Sequence, residues 1–312
     1  MKEAVVSIII PLYNREKLII ETIESILAQT FEEWECIIVD DHSTDNSYEV
    51  VEIYAKKDRR IQVFKRPDRL KKGANSCRNY GFSKSKGAYI QWFDSDDLML
   101  PEMLTLKLNA FQSHYDFVAC KFSTFEQGTD NMSVPNFELN KGLIPDYLCG
   151  DIPINTPMVL WKRSIVEKEK FNENLTRAQE LDFISRVFIF KNPNGILLDK
   201  NLIKVREHDA SITGEYNAGG KIQIRDEVNV RFNIHYLYEG YKKATLYGYY
   251  KALKKALQNR FYRLSIAHLL KTLFKIEYRF SSIQLKLLFV AISLAIFGKG
   301  LERYKSIIKK YE

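Results

Sequence analysis

The 312 residues are enough to bury a large core and still leave an appendage, and with 13% aromatic residues the composition is that of a folded globular protein. Four cysteines (Cys36, Cys77, Cys120, Cys149) stand far apart with no Cys-x-x-Cys pair, which argues against a structural zinc and for reduced, buried thiols suited to the cytosol. The formal charge of +8 is unevenly placed: residues 239–312 hold 16 Lys+Arg against 4 Asp+Glu, a net of +12, and residues 1–238 hold 31 against 35, a net of −4.

Met1-Lys-Glu3 is followed at once by an apolar strand pattern, without the shape of a signal peptide. Val5–Ile10 reads as a buried strand ending at Pro11, and Glu16–Gln29 places Leu18, Ile19, Ile23, Ile26 and Leu27 on one helical face. Glu35–Val39 is a second strand, closing on Asp40 to Asp45, and the next helix has Asn46 as its expected cap with Glu49 three residues on. Ile61–Phe64 is a third strand and Gly73–Lys84 a helix; a strand over Ala88–Phe93, a helix over Glu102–His114 and a strand over Phe117–Lys121 complete the series. Strands alternating with helices imply right-handed crossovers and a mostly parallel sheet. Residues 122–157, rich in Asn, Gly and Pro, read as loops. Order returns with a strand over Met158–Trp161, an amphipathic helix over Ala178–Phe190 and a strand over Gly195–Val205, and from Glu239 the pattern is basic and helical. These shifts set two expected domains, 1–238 and 239–312.

The strand Ala88–Phe93 ends in Asp94, Asp96 and Asp97, separated by Ser95 alone. Three acids where a hydrophobic strand stops repel one another and lose hydration. A divalent cation reverses that cost, since carboxylate oxygens are the donors Mg²⁺ and Mn²⁺ prefer. The plainer reading is a helix start, because Pro101 follows and acids there suit the helix dipole. Two other strand ends also deliver polar residues, Pro11-Leu12-Tyr13-Asn14-Arg15 and Asp40 to Asp45. In an open α/β sheet such ends converge on one crevice. A tyrosine ring there can stack on a base, and a carboxylate can accept the imide N–H of uracil or hold a ribose hydroxyl.

Val6-Ser-Ile-Ile-Ile-Pro-Leu-Tyr-Asn14, Val39-Asp-Asp-His-Ser-Thr-Asp-Asn-Ser47, Gly73-Ala-Asn-Ser-Cys-Arg-Asn-Tyr-Gly81 and Phe93-Asp-Ser-Asp-Asp97 resemble, in order, the motifs of family-2 inverting glycosyltransferases of the GT-A fold. The resemblance covers about residues 4–215. It implies a Rossmann-like α/β sheet flanked by helices and a metal-dependent transferase acting on a nucleotide-diphosphate sugar, UDP-sugars being the commonest donors among relatives. Pro11, Tyr13 and Asp41 would line the nucleotide pocket, with Asn14, Arg78 and Ser95 in the same motifs assigned to donor binding. Asp94 and Asp96 would form the Asp-x-Asp pair that holds Mn²⁺ or Mg²⁺, Asp96 on the metal and Asp94 nearer the ribose, with Asp97 as the alternative ligand.

The family also carries an acidic pair at a helix start, whose second member is the catalytic base. Here Gln179-Glu180 takes that place, so Glu180 is the expected base although one methylene longer than the usual Asp. Read alone, Glu180 is equally a first-turn acid favoured by the dipole. Asp182 lies on another side of the helix and supports the site or pairs with a nearby arginine. Val205-Arg-Glu-His-Asp-Ala-Ser-Ile-Thr213 is similar to the family's Arg-x-His-x-x-Ser segment and would bring His208 to the diphosphate or the metal. One base with one metal site suffices for inversion.

In the basic tail, Lys and Arg are interleaved with Leu253, Leu257, Phe261, Leu264, Leu269 and Leu273, a pattern that fits an interfacial helix drawn to anionic lipid or, more plainly, a solvated basic face over an apolar core. Leu287–Phe297 is apolar apart from Ser293 but too short for the ~20 residues a spanning helix needs. Such a tail suits a cytoplasmic protein held peripherally on the membrane, near a glycan or lipid-linked acceptor. Aromatic-plus-glycine motifs for nucleic acid are absent. The competing readings are a non-catalytic nucleotide-sugar-binding protein, motivated by the altered pair at Gln179-Glu180, and a nucleotidyltransferase. The latter would bring a Gly-rich, basic phosphate loop after the first strand, where this chain has Pro-Leu-Tyr-Asn.

Overall fold

The computed structural model describes residues 5–111, 114–127, 132–207, 221–238, 242–259, 261–273, 287–293 and 307. They divide into two compact units.

The first unit comprises residues up to Leu143, Ile152–Leu175 and Gln179–Ser211. It is built on a sheet whose strands, in chain order, are β1 (Val6–Leu12), β2 (Trp34–Asp40), β3 (Ile61–Lys65), β4 (Tyr89–Trp92), β5 (Leu98–Met99), β6 (Phe117–Glu126), β7 (Met132–Ser133), β8 (Val159–Lys162) and β9 (Gly195–Glu207). Spatially they run β3-β2-β1-β4-β8-β6-β9-β5, with β7 on β6. β1 and β2 are buried along their whole length, as the largely apolar strands of a parallel sheet should be, and the polar pair they bury, Ser7 and Glu35, is hydrogen-bonded at 2.7 Å. β1 continues past the expected stop at Pro11 to Leu12. The proline is tolerated because its register with β4 ends at Ile9↔Trp92, so no neighbour asks for the missing N–H on that side.

β3, β2, β1 and β4 are parallel, as expected. Beyond β4 the sheet is mixed. β8 inserts antiparallel between β4 and β6, and β9 then lies parallel to β6. Residues 122–157 are not all loop. β6 runs on to Glu126, and Leu143–Cys149 forms a short helix, α5, whose Pro145 sits in the first turn where an N–H is dispensable.

The connecting helices are α1 (Leu18–Leu27), α2 (Ser47–Lys57), α3 (Ala74–Lys84), α4 (Met103–Ala110), α6 (Arg163–Val166) and α7 (Gln179–Lys191). α1 buries Ile19, Ile23 and Ile26 of the face read from the sequence, with Thr22 beside them, while Leu18 and Leu27 are half-buried. α3 reaches the sheet through a glycine: a Cβ on Gly81 would stand 2.6 Å from Ile9 Cγ2 and 3.3 Å from Val39 Cγ2. At α2 the expected Asn46 side-chain cap is not made. Asp45 serves instead, its Oδ1 accepting from Ser47 N at 3.0 Å and Ser47 Oγ at 2.5 Å. All four cysteines are buried and free.

The second unit comprises Ile144–Asp151, Thr176–Ala178 and the described residues beyond 211. Besides most of α5, its helices are α8 (Lys221–Leu237), α9 (Lys242–Gln258), α10 (Tyr262–Leu273) and about two turns at 287–293. The boundary expected at 238/239 falls between α8 and α9, inside this unit. Ile224, Val228, Tyr249, Tyr250, Leu253, Leu257, Leu269, Leu287, Val290 and Ala291 form one buried cluster, so the apolar faces of the basic helices make a core of their own. No helix among the described residues is long and apolar enough to cross a membrane.

Candidate active site

The strand order turns at β1: β2 and β3 go to one side of it and β4 to the other. Ligands of open α/β sheets bind outside the strand ends at such a point. The residues that leave β1, β2 and β4 there are Tyr13-Asn14-Arg15, Asp41-His42-Ser43 and Asp94-Ser95-Asp96-Asp97.

The first two loops lock together. Asn14 N donates to Ser43 Oγ at 3.0 Å, Asn14 Nδ2 to Thr44 Oγ1 at 3.1 Å, and Thr44 N returns to Asn14 Oδ1 at 2.8 Å. Asn14 (φ +49°) and His42 (φ +59°) both sit in the left-handed region, a strain of about 1 kcal/mol each that clusters where function is held. Asn14 therefore fastens the loop after β1 to the loop after β2. Pro11 is buried beneath it and Tyr13 stands out, 40% exposed, with Lys72 Nζ 4.3 Å over its ring and 3.2 Å from its hydroxyl. Asp41 is buried in an ion pair with Arg66, whose NH1 also donates to Pro67 O at 3.0 Å. Beside it, Asp40 Oδ2 accepts from Ser43 N at 3.1 Å, while its buried Oδ1 has no hydrogen-bond partner.

The three acids after β4 have three different neighbours. Asp94 Oδ1 accepts from Arg78 NH2 at 2.8 Å. Asp96 Oδ2 accepts from Arg15 Nε at 3.1 Å. Asp97 is buried and turned inward, Oδ1 accepting from the backbone N–H of Arg206 at 3.1 Å. Arg206 also donates from Nε to Asp96 O at 2.9 Å and from NH2 to Glu21 at 3.0 Å. β9 can reach the turn because it bulges between its pairings Cys120↔Leu198 and Phe122↔Ile203, and because β5, directly after the turn, pairs with it. Burial raises the Asp94 carboxyl to about 6; Arg78 opposes the rise and the charges of Glu180 and Asp96 add to it. Burial, together with Asp94 and Asp96, holds the Asp97 carboxyl well above the usual range. Ser95, between them, is buried.

Across the crevice α7 begins at Gln179. Gln179 Oε1 accepts from Arg78 NH1 at 3.0 Å, and Glu180 Oε1 lies 3.8 Å from Arg78 NH2 with 30% of its side chain exposed. Asp182 pairs with Arg186 at 3.0 Å, one turn along the same helix. His208 lies outside the described residues. The sequence reading left Arg15, Arg66 and Arg206 without roles. A need for positive charge beside so many acids was the one signal that could have pointed to them.

No group of three or more His, Cys, Asp or Glu among the described residues is arranged as a metal cage. The donor set still suits a hard cation that takes one or two protein carboxylates and completes its shell with phosphates and water. Asp96, 20% exposed and paired with an arginine that is itself 22% exposed, could provide one such carboxylate.

This arrangement defines a GT-A fold. The S. aureus TarS 1-349 structure in complex with UDP-GlcNAc is similar to it over 98% of this chain and 91% of that one, with a TM-score of 0.71 and 18% identity. Residues 7–169 match the family described as Glycosyl transferase family 2, and the chain belongs to that family. Among curated relatives, the uncharacterized glycosyltransferase EpsJ of Bacillus subtilis is 32% identical over 222 residues, 67% of this chain and 62% of the relative. The minor teichoic acid biosynthesis protein GgaB of the same organism is 30% identical over 212 residues, 66% of this chain and 23% of the relative. The chain thus covers less than two thirds of the length of either.

Proposed function

We propose that this chain is an inverting glycosyltransferase that moves a sugar from a nucleoside-diphosphate donor, a UDP-sugar, to a glycan or lipid-linked acceptor in cell-surface polysaccharide synthesis. The observation that carries the reading is the meeting of Asp94, at the end of β4, with Glu180, at the start of α7, on the two sides of one arginine at the sheet's switch point. Family membership, the UDP-GlcNAc bound by TarS and the polymer named for GgaB support the donor and acceptor classes.

Tyr13 offers its exposed ring to the base above Pro11, and Asp41, fixed by Arg66, accepts the imide N–H. Asp94 and Ser95 face the ribose and diphosphate, on a turn clamped from below by Asp97 and Arg206. Asp96, with Asp94 beside it, would hold Mn²⁺ or Mg²⁺, with His208 as a further ligand; when bound, the cation stabilises the charge that builds on the leaving diphosphate. Glu180 takes the proton of the acceptor hydroxyl on the face opposite departure, with Gln179 fixing the start of its helix.

Glu180→Gln should abolish transfer and leave UDP–Mn²⁺ affinity unchanged, whereas Asp96→Asn should weaken both, read by product formation and titration calorimetry. Full turnover by Glu180→Gln removes that residue as base. UDP binding by the wild-type chain without any transfer, across a panel of UDP-sugars and acceptors, favours the non-catalytic reading instead. The +12 charge of residues 239–312 further suggests peripheral attachment to anionic lipid on the cytoplasmic face. Failure to float with phosphatidylglycerol vesicles at low salt would remove it.

A further inference from the structure

Resting on the transferase reading, we infer that Arg78 is a positioning residue that couples the donor side of the site to the base side, rather than a ligand of the donor. α3 buries its guanidinium, with 5% of the side chain exposed. NH2 donates to Asp94 Oδ1 at 2.8 Å and lies 3.8 Å from Glu180 Oε1. NH1 donates to Gln179 Oε1 at 3.0 Å and Asn75 Oδ1 at 3.3 Å. Both terminal nitrogens are thus committed to acceptors within the protein, and Nε is buried without a partner. An arginine that grips a diphosphate offers its two-pronged edge outward. This one turns that edge toward the gap between β4 and α7.

The surroundings make the coupling stiff. Phe171 and Phe183 stack at 4.1 Å with rings 6° from parallel, and both meet the Trp92 ring, at 5.2 and 5.1 Å. Arg78 lies over Phe171 at 5.4 Å. Trp92 is the second residue before Asp94, and Phe183 is one turn beyond Gln179, so the aromatic cluster pins the two elements apolar side to apolar side. Arg78 supplies the polar half of the same joint. A planar guanidinium fixes the direction as well as the distance of its acceptors, so the alignment of Glu180 follows that of Asp94. A misplacement of about 1 Å at a reacting group costs on the order of 100-fold in rate.

Arg78→Lys keeps the charge and loses the two-pronged geometry, and Gln179→Ala removes one acceptor from the edge of the joint. With UDP plus Mn²⁺ as the calorimetric probe and transfer as the rate, kcat should fall about 100-fold in Arg78→Lys and about 10-fold in Gln179→Ala, while the Kd for UDP stays within about threefold of wild type in both. Wild-type kcat in both variants overturns the inference. So does a loss of UDP affinity as large as the loss of kcat, which places Arg78 on the donor. Should Arg78→Lys fail to fold by its Tm, Gln179→Ala decides alone by the same two readings. A wild-type chain that neither binds UDP nor transfers sugar sinks the activity reading; an active wild type with both variants unaffected sinks only the coupling.

Discussion

Asp94 lets the charge balance of the site be measured directly. Its carboxyl titrates near 6 in the fold against 3.8 in the open chain, because burial and the charges of Glu180 and Asp96 outweigh the pull of Arg78. Between those two values the folded chain keeps a proton that the unfolded chain has lost, so stability falls as pH rises from about 4 to about 6 and the deficit is constant above. Two units correspond to about 3 kcal/mol. Water still reaches 31% of the side chain and screens the interaction, which brings the expected cost to about 1–2 kcal/mol. Asp94→Asn removes the charge and keeps the shape. It should therefore unfold at higher urea than wild type at pH 7.5, by about 1–2 kcal/mol, with the gain gone by pH 4. Tryptophan fluorescence is the assay of choice, since Trp34, Trp92 and Trp161 are all buried in the sheet unit and report that unit alone. The same variant should lose transfer. If Asp94→Asn is less stable than wild type at pH 7.5, the ion pair with Arg78 outweighs burial and crowding, and Asp94 is a structural partner and not a charge kept for a ligand.

Other outcomes follow from single contacts. A Cβ on Gly195 would stand 2.3 Å from Cε1 and Cζ of the buried Phe117 ring, so Gly195→Ala should destabilise the sheet unit by about 1–3 kcal/mol in the same fluorescence assay; an unchanged urea midpoint would mean the ring can step aside. Tyr13→Ala should weaken UDP binding by about 1–3 kcal/mol, the range for a base stacked on an aromatic ring, and unchanged affinity would remove Tyr13 from the base pocket. EDTA should stop transfer and either Mn²⁺ or Mg²⁺ should restore it; turnover undiminished in the chelator would end the metal role proposed for Asp96.

Much of the sheet could be read in the chain because its strands are fully buried. Val6–Leu12 and Trp34–Asp40 have no solvent face, so apart from the buried Ser7–Glu35 hydrogen bond and the closing Asp40 they appear as apolar runs, and the polar residues that stop them mark the candidate site. The far edge was harder. β6 and β9 extend beyond the expected limits, and β9 carries exposed Asp199 and Lys200 at its bulge, where no alternating pattern survives. α8 was missed as a helix, its buried positions including Asp226 and His235 as well as Ile224 and Val228. Asp226 is buried because it accepts from Thr176 N, Thr176 Oγ1 and Arg177 N, a reason that lies 50 residues away in the chain. The arginines of the site were hidden for the same cause. Arg15 and Asp96 are separated by 81 residues and Arg206 and Asp96 by 110, and no local pattern records such partnerships.

Those arginines also change the account of why three acids can share one turn. Read from the chain, the cluster calls for a cation or, more plainly, for a helix start. Folded, each acid already has protein donors: Arg78 for Asp94, Arg15 for Asp96 and the backbone of Arg206 for Asp97. The turn is therefore compatible with the fold before any ligand arrives, and what distinguishes the acids is how firmly each partner is held. Arg78 is 5% exposed and bound to Gln179 and Asn75 as well, so it cannot leave Asp94 without breaking a buried joint. The guanidinium of Arg206 is wholly buried, and the Asp97 that its backbone holds is buried with it. Arg15 and Asp96 alone meet where both side chains retain about a fifth of their exposure, Arg15 NH1 donating also to Asn14 O at 3.1 Å, so theirs is the ion pair that water screens most evenly. Exchange of a guanidinium for a divalent ion would thus cost least at Asp96, the carboxylate proposed to hold it, and that difference in grip distinguishes it from Asp94 and Asp97, whose partners are buried.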